Sequence, residues 1–203
     1  ALLRVAEQQI DGEDYRGAEL TIQRLLTVNP DLPDAHSLQS VIWHLRNDAA
    51  AAETSRAAAL KFSAANPEVD HLIGRKLSQK YRFAEGAQFQ RKALDADVEF
   101  VEARIQLAQD LLRLGQEEEG WVQAEQAHKA DGYNTTLFNL LQLKDSLDRF
   151  TTVTSEHFHV RMETQEAAVY GLRVVEMLEQ AWTELTVRYE FTPQVPVYVE
   201  IYS

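Results

Sequence analysis

Small residues recur in this chain every 34 positions, and that spacing constrains the fold more than any local motif. Ala18, Ala52, Gly86 and Gly120 form one such column, and Ala6, Ser40, Gly74 and Ala108 form a second. A third runs Leu25, Ala59, Ala93 and Ala127. Larger residues keep the same frame in Val5, Gln39, Ile73 and Leu107, and in Gln9, Trp43, Leu77 and Leu111. Several columns in one register imply four copies of a helix pair whose backbones cross where a side chain is small. One pair cannot bury its own apolar face, so such units stack into a solenoid.

The fourth copy is the clearest. Ala103, Leu107, Ala108 and Leu111 make one apolar helix face, Gly115 supplies a turn, and Gly120, Ala124 and Ala127 line the returning helix. Asn29-Pro30 ends the first copy, since proline cannot continue a helix. The matching Asn66-Pro67 arrives three residues late, so the Ala-rich helix Ala49 to Ala65 is expected to be a turn longer than its counterparts. A further helix, Thr135 to Arg149, carries Leu137, Phe138, Leu140, Leu141 and Leu147 and is expected to cover the open face of the last pair.

Residues 1–134 resemble the tetratricopeptide repeat family. The resemblance is strong at the small positions and weak at the aromatic ones, where Arg56 and Gln90 stand in the usual Phe slot. It implies a right-handed α-α superhelix whose first helices line a groove for a protein or peptide, or for another domain of the same chain. Carried over residue by residue, the groove positions are Leu3 and Glu7, then Ser37, Val41 and His44, then His71, Arg75 and Ser78, and finally Ile105, Gln109, Leu112 and Arg113. The Lys and Asn pair with which chaperone-binding members clamp a terminal carboxylate is missing, which disfavours that role. Arg75 and Arg113 are the expected anchors of an extended or helical peptide.

After Arg149 the period changes from helical to alternating. Phe150 to Thr154 and Phe158 to Met162 read as strands around a Ser155-Glu156 turn, with Phe158, Val160 and Met162 on one face and His157, His159 and Arg161 on the other. A helix follows, with Thr164 as expected N-cap and a stripe of Ala168, Leu172, Val175, Leu178, Trp182, Leu185 and Tyr189. Pro193 and Pro196 lead into a third strand, Val195 to Ser203, with Val197, Val199 and Ile201 alternating. Residues 150–203 thus read as a small, incomplete α+β domain. They resemble the first part of a peptidase-MA-like domain of the gluzincin zinc metallopeptidases, which in bacterial proteins often follows tetratricopeptide repeats. That resemblance implies a parent protein continuing beyond Ser203 into a His-Glu-x-x-His zinc helix. The motif is absent from these 203 residues, so no catalytic residue, metal ligand or cofactor is assigned to this fragment, and zinc is expected only of a parent that carries the motif.

Composition narrows the partners. A net charge of −12 argues against nucleic acid, no apolar run nears the ~20 residues of a membrane helix, and without cysteine there is neither disulfide nor thiolate chemistry. The compartment is not read from these features. From Glu68 to Lys92 six cations stand against three carboxylates, a local basic excess suited either to an acidic peptide or to a mixed solvated surface. His157 and His159 have a spacing that chelates a metal when a third ligand is near, but Arg161 beside them repels a cation. The remaining histidines, His36, His44, His71 and His128, are dispersed; Trp43 is expected to fill the core of the second repeat, and Trp121 and Trp182 to pack helix faces. Two functions remain: a non-catalytic interaction scaffold, or the substrate-recruiting arm and first catalytic layer of a zinc metallopeptidase.

Overall fold

The computed structural model describes residues 1–194 and 196–202; the ends of the expected third strand, Val195 and Ser203, lie outside the described residues. The chain divides into two compact units, Ala1–Leu137 and Phe138–Ser203.

The first unit contains four helix pairs: α1 (Leu2–Asp11) with α2 (Tyr15–Val28), α3 (Pro33–Leu45) with α4 (Ala49–Ala59), α5 (Pro67–Gln79) with α6 (Phe83–Ala96), and α7 (Val101–Arg113) with α8 (Glu117–Ala130). Every residue of the three small columns is buried except Leu25. The crossings are close because of them: a Cβ on Gly74 would lie 2.9 Å from the carbonyl oxygen of Gly86. At the same crossing of the second pair, Ser40 Oγ donates to the Ala52 carbonyl at 2.8 Å. Each pair turns through one left-handed residue, Glu13, Asn47, Tyr81 and Gly115, again 34 apart, of which only the glycine adopts it without strain. First helices pack on one another, α1 on α3, α3 on α5 and α5 on α7, which places them on the inside of an α-α solenoid.

Helix α4 is shorter than expected, not longer. It stops at Ala59, and residues 60–66 run as short turns, with Lys61, Ser63 and Asn66 each donating to the carbonyl three residues back. Alanine favours a helix, but helices in proteins persist where they bury a face, and Phe62 beyond the end is 72% exposed. The aromatic slots taken by Arg56 and Gln90 carry polar links instead. Arg56 forks onto buried Asp70 at 2.5 and 2.7 Å, and Gln90 Oε1 accepts from the His71 ring Nδ1 at 2.8 Å. Helix α9 (Thr135–Leu147) ends before Arg149, and Leu137 is its buried residue.

In the second unit β1 (Phe150–Thr154) pairs antiparallel with β2 (Phe158–Glu163), which pairs in parallel with β3 (Val197–Ile201). Phe158, Val160 and Met162 are buried against α10 (Thr164–Tyr189), and half-buried Val197, Val199 and Ile201 pack against the same cluster. The cap of α10 is Glu163, whose carboxylate accepts from the backbone of Gln165 and Glu166. Thr164 instead ties the helix start to the Arg149 carbonyl at 3.0 Å. The inward stripe is Ala167, Gly171, Val174, Val175, Leu178 and Trp182, because the helix seats Gly171 against Val153; Leu172 consequently points outward at 77% exposure. No described helix is long and apolar enough to cross a membrane.

Candidate functional site

The 34-residue frame sets equivalent side chains side by side on the inner face. Leu3, Ser37, His71 and Ile105 are one row, and Glu7, Val41, Arg75 and Gln109 the next. Between α1, α3 and α5 these rows open into a cleft of about 330 Å³, lined by Leu3, Glu7, Asp34, Glu68, His71, Leu72 and Arg75. Four of the expected groove residues, Leu3, Glu7, His71 and Arg75, are therefore brought together.

Others are not. Ser37, Val41 and Ser78 are buried beneath the face and support it rather than offer contacts. Glu7 Oε2 meets Arg75 Nη2 at 3.3 Å, linking the first and third repeats, while Ser37 Oγ donates to the Pro33 carbonyl and Ser78 Oγ lies 2.7 Å from Asp110. His44 packs edge-on against Phe89 and carries the Arg82 guanidinium on its carbonyl. Ile105, Gln109, Leu112 and Arg113 lie on α7 outside the cleft, and the Arg113 guanidinium stands 4.9 Å over the Phe83 ring.

Towards the C-terminal ends of α1 and α5 the face is sealed by ion pairs. The almost fully buried Lys76 ammonium sits 3.2 Å from Glu7 and 2.9 Å from Asp11, and Lys80 reaches Glu13 at 3.1 Å. The remaining cations of the basic excess are also engaged, Arg82 with Glu85, Arg91 with Glu119, and Lys92 over Phe89. Five of the six cations are thus ion-paired, and Arg75 is not a vacant anchor.

What stays unpaired in the cleft is acidic. Asp34 and Glu68 have no ion-pair partner among the described residues, and burial together with repulsion from Glu7 raises the Asp34 carboxyl above its ordinary range. His71 is pushed down by burial, so an uncharged imidazole forms the wall, with its ring edge against Phe100 at 5.4 Å. The expected groove positions omit Asp34, Glu68 and Leu72, although Asp34 and Glu68 are themselves 34 apart with Glu102 next in the series. As first-turn acids they also complement the helix dipole.

In the second unit His157 and His159 do not share a face. His157 lies in the bend before β2, with Nδ1 2.6 Å from Glu179 and its ring stacked 4.2 Å from Trp182 on α10. His159 faces the other way, against Tyr198. Among the described residues no group of three His, Asp or Glu is placed to hold a metal ion.

No family model matches the sequence, and none of the curated proteins compared with it matches. Among solved structures the chain is similar to Pseudomonas aeruginosa PilF, at 16% identity and a TM-score of 0.49, over 73% of this chain and 69% of that one. It is also similar to PilW, a type IV pilus biogenesis factor, at 22% identity and 0.48, over 72% and 68% of the two chains. The tetratricopeptide domain of Arabidopsis OM64 is similar at 15% identity and 0.45, over 56% and 94%.

Proposed function

We propose that this chain is a protein-interaction scaffold whose inner cleft takes a partner segment with a basic side chain flanked by apolar ones. The observation that supports it is the cleft's lining: Leu3 and Leu72 supply apolar walls beside two carboxylates without counter-ions among the described residues. A lysine or arginine entering there relieves the repulsion between Asp34 and Glu7 and adds apolar contact through its stem. Fluorescence anisotropy with a labelled Gly-Leu-Arg-Leu-Gly peptide tests the reading. Binding should weaken at high salt and vanish in the Asp34→Asn, Glu68→Gln double variant. Equal binding of a peptide with Glu in place of Arg would overturn it.

A second reading is the peptidase arm. The order β1, β2, α10, β3, with α10 covering one sheet face, agrees with the sheet-and-helix layer that the gluzincin resemblance implies. Among the described residues no three His, Asp or Glu side chains are grouped to hold zinc. Zinc analysis of the parent protein, with its sequence past Ser203, decides this reading: a metal-loaded His-Glu-x-x-His helix supports it, and an unrelated continuation without metal removes it.

A further inference from the structure

A second cleft, of about 420 Å³, opens between α2 and α3 and shares no lining residue with the cleft above. Its floor is Ile22 and Leu26, its rim Arg16 and Leu20, and its far wall Gln39 and Trp43. The wall departs from the two repeats that follow it. Where it has Gln39 and Trp43, the next repeats have Ile73 with Leu77 and Leu107 with Leu111, all four buried. Here the amide and the indole are only half-buried, so the junction that its sister repeats use for core is left open as a surface cleft.

The indole is held in place. Arg46 stacks over it with its guanidinium 5.3 Å from the ring centroid, and the same guanidinium forks onto Glu19 at 2.6 and 2.9 Å. That fork neutralises Glu19, the cleft's one carboxylate. Arg16 is left as a cation with no ion-pair partner among the described residues, in a chain whose net charge is −12. A pre-positioned tryptophan in an apolar-floored cleft, beside an unpaired arginine, has the make-up of an interface hot spot. We infer that this α2–α3 cleft is a second recognition site, taking a partner segment in which a bulky apolar side chain precedes an acidic residue. The apolar group packs on Trp43, Ile22 and Leu26, and the carboxylate meets Arg16.

The test uses the whole chain and the peptide acetyl-Gly-Phe-Asp-Gly-amide, followed by NMR of the tryptophan indole N–H signals. Trp121 and Trp182 serve as internal references, and the Trp43→Leu variant, which carries the residue of the sister repeats, assigns the Trp43 signal without emptying the core. The Trp43 signal should shift saturably while the other two stay put. Peptides with Lys for Asp or Ala for Phe should bind at least about tenfold more weakly. Arg16→Glu should reverse the preference between Asp and Lys, and the Asp34→Asn, Glu68→Gln variant should bind as the parent does, separating this site from the inner cleft. An unmoved Trp43 signal, or equal response to the Asp and Lys peptides, overturns the inference.

Discussion

Ser78 Oγ lies 2.7 Å from Asp110 Oδ2, a buried link between the first helices of the third and fourth repeats. Gln106 donates to the other carboxyl oxygen at 3.0 Å, and Ser78 Oγ also lies 2.9 Å from the Gly74 carbonyl. Burial dominates and pushes the Asp110 carboxyl up to about 6. A protonated Asp110 satisfies the network best, donating to Ser78 while Ser78 donates to Gly74.

The sign of the pH dependence follows. With the folded value above the unfolded one, the native state holds a proton that the unfolded chain has released. The contribution is therefore fully present below pH ~4 and lost as pH climbs through 6. Asp110→Asn places an amide where the acid proton sits. It should stabilise the protein at pH 7 by on the order of 2 kcal/mol and flatten the profile between pH ~4 and 7. Urea midpoints across that range measure it, and a variant less stable than the parent at pH 7 would contradict the protonated network.

Tyr81 holds the left-handed turn between α5 and α6 at φ 62°, with its ring 83% exposed and edge-on to Phe83. A non-glycine residue there pays about 1 kcal/mol in Cβ crowding. Since little of the ring is buried, Tyr81→Gly should raise stability by roughly 0.5–1 kcal/mol, and Tyr81→Asn by less. A fall in the urea midpoint for Tyr81→Gly would show that the contact with Phe83 outweighs the strain.

These turns also mark where legibility ended. The 34-residue columns located all four helix pairs, and alternation located the three strands, because backbone crossings and sheet faces impose periods on the residues that make them. Gly115 announced its turn, whereas Glu13, Asn47 and Tyr81 take the same conformation without the residue that signals it. Leu3, Glu7, His71 and Arg75 line one cleft, but a column states direction and not depth, so it cannot separate them from buried Ser37, Val41 and Ser78. The bridges from Lys76 to Glu7 and Asp11 depend on how tightly three repeats curve, which no local pattern encodes.

That bridge makes Lys76 the residue on which the inner face closes. Its ammonium is only 2% exposed, while Glu7 and Asp11 remain in reach of water at 31% and 46%. Removing the cation therefore leaves two carboxylates that solvent can rescue, and the loss is smaller than for a fully buried pair. Lys76→Ala should cost about 2–3 kcal/mol through lost charge and lost packing of the stem, and Lys76→Met roughly half of that. Chemical denaturation separates the two, and equal losses in both variants would mean that packing contributes nothing.

Glu179 anchors the turn between β1 and β2 to α10. Its carboxylate accepts from Ser155 Oγ at 2.6 Å, from His157 Nδ1 at 2.6 Å and from the His157 backbone at 3.0 Å. Those hydrogen bonds hold it down to about 2, so the contact is at full strength above the ordinary carboxylate range and is lost as pH falls from about 4.5 towards 2. The stacked pair of His157 and Trp182 reports on it directly. In a background with Trp43→Leu and Trp121→Phe, the Trp182 fluorescence should titrate through that acid window. In Glu179→Gln the acid transition should disappear and the neutral-pH spectrum should already resemble the acid form, since an amide cannot accept at both oxygens. An acid titration unchanged by the substitution would place the pH response elsewhere and leave Glu179 as a surface residue of the helix.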